Sequence, residues 1–419
     1  MTPKRPVLVI GGGVIGVCCA YSLRRAGFPV MLAEAATTGS GASSGNLGVL
    51  AVSHSMPLAS PGVVGQAIRW LFQPDSPFSL DLPPSFPMLR WLVQFFRASR
   101  SSHMARRAAL LTHLSLESLE LFQQWSRDLS FYRRCSGTLE VFRTDKAYDK
   151  FRRQLPAMQA AGIHVEMLSR DATRAFGPDL FGPLEAGAFY PADCVVDPLP
   201  FAQAVRGRLQ TLGVEVREQA RVLRCTAEGN AIRAVDFENG TVDVAAVVLA
   251  TGFEINRLIE PLGMRLPVQA ARGYTFDFPS PAGWPEMPVM FAEAKLLSTP
   301  FENRRRLGGY LRLMEPRHAR AHRLSAEKLT EPLFDYIHAS MVEQIRQTAS
   351  PVWAGFRPCS PDGLPIIGRS MRYENLCFAT GHGMLGVTLA PITAKLVVAC
   401  LEGKQDAEEA GLLGPDRFS

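Results

Sequence analysis

Apolar positions along this 419-residue chain recur with two different periods, and the switches between them mark out its elements. A continuous apolar run, Pro6–Ile10, precedes a glycine turn; helical spacing follows over Val14–Ala26, Gly27 ends it, and Val30–Ala33 is apolar throughout. Unbroken runs this short belong to parallel strands buried on both faces. Helical spacing returns at Ala109–Trp125, Lys146–Ala161, Leu199–Leu212 and Glu327–Thr348. Strand character marks Gly137–Thr144, Gly162–Leu168, Val214–Arg217, Arg221–Cys225 and Ala231–Phe237, with Asn239-Gly240 as a hairpin turn. Val244–Ala250 is continuous again, so the chain returns there to the parallel sheet. It leaves for strands at Gly273–Phe278, Val289–Ala292, Lys295–Thr299 and Arg306–Leu313, and closes on a strand, a turn and a helix at Leu385–Leu401.

This order predicts an α/β protein with a discontinuous Rossmann-type domain (residues 1–62, 197–262 and 351–419). A cap domain of antiparallel sheet plus helices (63–196 and 263–350) is interleaved with it. Gly11, Gly13 and Gly16 satisfy G-x-G-x-x-G between the first strand and the helix that opens at Val14 and Ile15. The first glycine permits the tight turn, the second lets backbone approach a pyrophosphate, and the third lets helix pack on strand. Unpaired N–H groups at the helix start favour phosphates. Glu34, followed by Ala35, ends the second strand, where an acid accepts from ribose hydroxyls and disfavours a 2′-phosphate. A dinucleotide is therefore expected.

Composition narrows the remaining classes. Hydrophobic residues make up 47% and charged residues 20%, as in an ordinary globular protein. No apolar window is long enough to span a bilayer, because Met384–Leu401 contains Pro391 and Lys395. No export signal is read at the start, so the eight cysteines are expected as free thiols in the cytoplasm, and none has zinc spacing. The net charge of +6 comes from dispersed basic residues without a nucleic-acid motif, which argues against nucleic-acid binding.

Two further blocks identify the cofactor. Thr37–Gly62 is a long Gly/Ser-rich loop, and "TGHGM" at Thr380–Met384 is a second glycine turn, feeding the last helix. With Gly11–Glu34 and the "ATG" at Ala250–Gly252, the closing "GFRPCSPDGLPIIG…GHGMLGVTLAP" resembles FAD-dependent amine oxidoreductases of the D-amino-acid oxidase class. Within that class the chain is most similar to bacterial D-amino-acid dehydrogenases, over nearly its whole length. The resemblance implies a glutathione-reductase-like fold and a non-covalent FAD. Cofactor contacts are expected at Ser43, Ser44, Asn46, Leu47 and Gly48 of the loop, and at Val222 through its backbone. The others are Thr251 and Gly252, and Gly381, His382, Gly383, Met384, Leu385 and Gly386. A helix start near the flavin would favour negative charge on it; the alternative for these glycines is a tight turn and nothing more.

For the substrate, Arg357 in "WAGFRPCSPDG" falls on the family's carboxylate-binding arginine, and a guanidinium fork suits a carboxylate. Tyr274 and Tyr310 lie on return strands, and His54 on the loop, as candidate substrate contacts. The implied reaction is oxidation of a D-amino acid or a cyclic imino acid such as D-proline or 4-hydroxy-D-proline. Its electrons would pass to a quinone or another electron-transfer partner. The alternatives are a glycine- or sarcosine-type oxidase using oxygen, a subunit of a larger electron-transfer complex, and a nicotinamide dehydrogenase. Cys359 and Cys377 are near enough to consider for covalent flavin, but neither has the expected setting. Val63–Leu110 mixes Leu89, Trp91, Leu92, Phe95 and Phe96 with Arg97, Arg100, Arg106 and Arg107, which suits either a peripheral membrane surface or packing into the cap.

Overall fold

A computed structural model describes residues 5–56, 78–80, 84–99, 104–178, 180–321 and 324–418. Among these, the strands at 7–10, 30–33, 215–217, 246–249, 366–369 and 376–380 form a six-stranded sheet. Its pairs are parallel except for the edge strand Ile366–Arg369. Every residue of Val7–Ile10, Val30–Ala33 and Ala246–Leu249 is buried, as the continuous runs required. One face packs on helices Val14–Arg25, Met104–Trp125, Pro198–Thr211 and Ala390–Glu402. The other packs on the three-stranded meander of residues 222–243 and the helix Ile255–Ile259. At the crossing of strand and helix, a Cβ on Gly16 would lie 1.7 Å from the Gly11 carbonyl oxygen, so only glycine fits.

The second sheet has nine strands, ordered 353–359, 269–278, 305–313, 296–300, 289–291, 138–142, 186–190 and 166–168, with 78–80 paired to 305–313. Most pairs are antiparallel; Val289–Phe291 runs parallel to Thr138–Phe142, and Phe78–Leu80 runs parallel to Arg305–Leu313. The strand Trp353–Cys359, expected within the nucleotide domain, instead pairs along Gln269–Phe278. Arg357 is thereby carried on the cap sheet.

Three other expectations change. Glu327–Thr348 is broken into Ala326–Thr330, a 3-10 turn at Glu331–Asp335 and Ala339–Thr348, because Pro332 lacks the N–H a continuing helix needs. The last helix begins at Ala390 rather than Leu385, since Pro391 is tolerated only in a first turn. Cys135 and Cys194 form a disulfide, while the other six cysteines are free and buried, so the expectation of eight free thiols is corrected. Among the described residues, no helix is long and apolar enough to cross a membrane.

Candidate functional site

A cavity of about 740 Å³ lies between the two sheets, with the glycine turn on one wall and the cap sheet on the other. Gly11, Gly13, Val14, Ile15, Glu34 and Ala35 line its nucleotide end, together with Val222, Thr251 and Gly252. The Glu34 carboxylate accepts from the N–H groups of Gly12 (2.5 Å) and Ala36 (2.8 Å), which fixes it at the end of its strand. Arg257, which pattern reading missed, also lines this end and donates to the Val222 carbonyl at 2.9 Å. Ser43 Oγ accepts from Val14 N–H at 3.0 Å and so closes the loop onto the helix start.

Not every expected residue reaches the cavity. The Ser44 hydroxyl turns back onto the carbonyls of Ser40 (3.1 Å) and Gly41 (2.9 Å) and lies outside the lining. Gly16, Gly48 and Gly381 serve the backbone beneath the site. Gly48 has φ +70°, and a Cβ there would come within 2.3 Å of the Val196 carbonyl. Asn46 and Leu47 do line the cavity, and Asn46 Oδ1 accepts from Gly48 N–H at 2.8 Å. His382, Gly383, Met384, Leu385 and Gly386 form the wall beside the last helix. His382 Nε2 is 2.9 Å from Thr393 Oγ1, and burial pushes its pKa down to about 3, so the ring is neutral at physiological pH. These features fit an FAD: a glycine turn packed so tightly that a Cβ on Gly11 would come within 2.5 Å of the Ala250 carbonyl oxygen, a fixed acid beside it, and a second glycine wall along the cavity.

The opposite wall is read from strand register. Glu140, Met290, Leu297, Gly308, Thr275 and Trp353 are successive cross-strand partners and therefore share one face. All but Thr275 line the cavity. Along Gln269–Phe278 the same alternation directs Ala271, Gly273 and Thr275 to this side. Tyr274 points the other way: it is 3% exposed within the cap core and lies outside the lining, which corrects its assignment as a substrate contact.

Arg357 lies over Gly273, where a Cβ would approach its Nη1 to 2.2 Å. Nη1 donates to the Tyr310 carbonyl at 2.8 Å. Among the described residues, no acceptor meets its Nε or Nη2. Burial lowers its pKa from the usual arginine value, the cost of holding a cation where water is scarce. Tyr310 lines the cavity and has φ 64°, a left-handed conformation unusual for tyrosine. It sits at a register shift: two steps from Arg272 to Tyr274 oppose three from Arg312 to Gly309.

His54 lines the cavity with Glu140 and Lys295. Its Nδ1 is 2.9 Å from Ser53 Oγ, which donates to Asp193 Oδ2 at 2.5 Å. With Asp193 ionised, the single hydroxyl proton is committed to it, so Nδ1 must carry the imidazole proton and Nε2 is left as an acceptor. Asp193 is pushed up to about 6 by burial, against opposing hydrogen bonds from the Ser53 hydroxyl and N–H. Glu140 accepts from Tyr190 Oη at 2.8 Å.

Trp91 and Phe95 complete the wall near Arg357, stacked with ring centroids 5.3 Å apart, and Trp91 Nε1 donates to the Cys359 carbonyl at 2.9 Å. Half of the Val63–Leu110 expectation is thus answered by the cap. Arg106 pairs with Glu408, and Arg107 donates to the Ala98 carbonyl. Phe86, Leu89 and Val93 stay exposed on the outer face of the helix Phe86–Ser99. Residues 63–77, 81–83 and 100–103, Arg100 among them, lie outside the described residues. Cys359 also lines the cavity, but burial holds its thiol up at about 12, so it is no nucleophile. Trp353 could have been found from sequence: with Gly355 and Arg357 it keeps the period of two within "WAGFR".

The family described as FAD dependent oxidoreductase (DAO) matches residues 6–400. A D-amino acid dehydrogenase of Neisseria meningitidis serogroup C (strain 053442) is 29% identical over 421 residues, covering 98% of this chain and 99% of that one. Another, from Bradyrhizobium diazoefficiens, is 29% identical over 429 residues and covers 99% of both. Among solved structures, glycine oxidase from Bacillus cereus ATCC 14579 superposes with a TM-score of 0.76 at 21% identity, covering 98% and 97% of the two chains. L-proline dehydrogenase from P. horikoshii gives 0.71 at 19% identity, covering 100% and 98%.

Proposed function

The chain belongs to the family of FAD dependent oxidoreductases, and on that premise we propose that it is a D-amino-acid dehydrogenase passing electrons to an acceptor other than oxygen. The observation that carries this reading is Arg357. It is a desolvated guanidinium held over a bare glycine by one carbonyl, with Nε and Nη2 left for a carboxylate across the cavity from the cofactor cradle. The relatives named D-amino acid dehydrogenase, similar along nearly the whole chain, support the substrate class.

A bound FAD supplies the two-electron acceptor for the hydride on the substrate's Cα. The protein's own part is positioning and electrostatics. Arg357 binds the carboxylate through its free N–H groups, and the Tyr310 carbonyl keeps the fork from rotating. Trp91, Phe95, Leu311 and Leu313 make the wall near the arginine apolar and exclude water. A substrate ammonium entering that setting has its pKa lowered and releases its proton to bulk water as it binds, so the neutral amine is held there without a dedicated base. His54 Nε2 offers a further acceptor in the cavity wall.

The electron acceptor is a quinone or another electron-transfer partner. The exposed stripe Phe86, Leu89 and Val93, beside Arg90 and Arg97, is the surface for a peripheral contact with the membrane that holds such an acceptor. Anaerobic bleaching of the flavin by a panel of D- and L-amino acids, including both prolines and 4-hydroxyprolines, tests the substrate class. Bleaching by L-amino acids alone, or by none, refutes it.

A further inference from the structure

Beyond that reading, and resting on its FAD, the geometry points to Arg306 as a positioning residue that aims two backbone donors of the Ser44–Gly48 loop into the cofactor cavity. Arg306 is carried on the cap-sheet strand Arg305–Leu313 and its side chain is 9% exposed. Nη1 donates to two loop carbonyls at once, Ser44 at 2.6 Å and Asn46 at 2.8 Å. Between them the Gly45 carbonyl accepts from Thr275 Oγ1 at 3.1 Å. Three successive carbonyls are therefore drawn to the cap sheet.

A trans peptide sets its N–H opposite its C=O. Tying the Ser44 and Asn46 carbonyls to Arg306 turns the N–H groups of Gly45 and Leu47 away from the sheet. Among the described residues neither N–H meets an acceptor, and both residues line the cavity. Asn46 N–H, by contrast, is spent on the Ser43 carbonyl at 3.2 Å. Gly45 is buried and Leu47 half-buried, and N–H groups so placed are rarely left without a partner, so the two ask for an acceptor in the cavity that both residues line. An FAD bound in this cavity provides acceptors, and donors fixed in advance stabilise negative charge on it without rearrangement.

The clasp is itself braced. Arg306 pairs with both oxygens of Asp277 (Nε–Oδ1 2.6 Å, Nη2–Oδ2 3.0 Å), which also takes Arg304 Nε at 2.7 Å. Arg304 continues to Asp197 at 2.7 Å. Burial raises the Asp277 pKa, but the hydrogen bonds and charges of Arg306 and Arg304 outweigh it and hold the carboxyl below its ordinary value. The Gly45 backbone rests on the Trp353 indole, where a Cβ would come within 2.0 Å, so the loop cannot slide along the sheet.

The test reads the bound flavin of the holoenzyme: its dissociation constant from free-flavin fluorescence on dilution, its visible spectrum, and its midpoint potential. Arg306→Met is expected to weaken FAD about 10- to 100-fold, the loss of a charged donor serving two acceptors, and to make the potential more negative. Arg306→Lys keeps the charge but not the fork and should fall between. Thr275→Val should shift both readouts in the same direction by less. Arg304→Met removes one brace on Asp277 but leaves the loop contacts in place, so it should shift both readouts in the same direction by clearly less than Arg306→Met. Wild-type affinity and potential in Arg306→Met overturn the proposal, as does an Arg304→Met shift equal to that of Arg306→Met. If Arg306→Met does not fold, unchanged affinity and potential in Thr275→Val overturn it. A wild-type protein without FAD defeats the underlying reading instead.

Discussion

Gly273→Ala tests the carboxylate anchor without touching a charge. Gly273 has no positive φ, so alanine fits the backbone, and the new Cβ would lie 2.2 Å from Arg357 Nη1 and 2.5 Å from Cζ. Ordinary contact needs roughly 3.5 Å, so the guanidinium must retreat by about 1 Å. A displacement of that size at a reacting centre costs up to about 100-fold, which sets the expected loss in kcat/KM at about 10- to 100-fold, or about 1.4–2.7 kcal/mol. The assay is dye-coupled oxidation of a D-amino acid, with FAD content measured by absorbance on the same samples. FAD content should be unchanged, because Gly273 lies on the cap sheet, away from the glycine turn. In an Arg357→Ala background, which alone should cost about 2–4 kcal/mol, adding Gly273→Ala should cost almost nothing. Full additivity of the two changes would refute the reasoning, as would wild-type kinetics in Gly273→Ala.

Other consequences are open to simple measurement. Acid denaturation should release the flavin into the supernatant, since the Cys359 thiol is protonated at physiological pH; flavin that precipitates with the protein contradicts this. Oxygen uptake during turnover should be far slower than reduction of a quinone analogue, and rapid peroxide formation would exclude the dehydrogenase reading. Co-sedimentation with anionic liposomes should fall with salt and with Leu89→Glu; no binding at any salt removes the membrane surface. Asp193, raised by burial to about 6, favours the fold when protonated, and that contribution is lost as pH rises from its unfolded value toward 6. Melting temperatures of wild type minus Asp193→Asn should therefore decline across that interval, and a flat difference would show that Asp193 is not shifted.

The nucleotide half was legible because its signals are local. A strand, Gly11, Gly13, Gly16, a helix and Glu34 lie in one stretch, and each position answers to a contact within it: Gly16 to the Gly11 carbonyl, Glu34 to Gly12 N–H. Arg357 was legible for a different reason, as a cation among apolar and turn residues. Ser44 was misread because sequence cannot tell a loop serine facing a ligand from one satisfying its own turn, and here Ser40 and Gly41 take the hydroxyl. Arg306 carried no signal at all. Its role depends on the meeting of two segments more than 250 residues apart, in a chain rich in surface arginines.

The two tyrosines show where strand reading fails. Both lie on adjacent strands of one sheet, and simple alternation is enough to send Tyr274 into the core. It would not by itself place Tyr310, Leu311 and Leu313 together. Gly308 faces the cavity, so strict alternation would put Leu311 and Leu313 on the far side. The extra residue at Tyr310 reverses the parity: past it, Leu311 and Leu313 face Trp91 and Phe95. The same left-handed turn accompanies the Tyr310 carbonyl that accepts from Arg357. One backbone irregularity thus builds the apolar wall and anchors the cation. A bulge held by a strained tyrosine rather than a glycine is a local cost of order 1–3 kcal/mol that the surrounding sheet must offset. Tyr310→Gly should therefore hold or raise thermal stability while lowering kcat/KM, because glycine relaxes the turn that fixes the carbonyl. A variant that loses stability and keeps full activity would place the bulge outside the site.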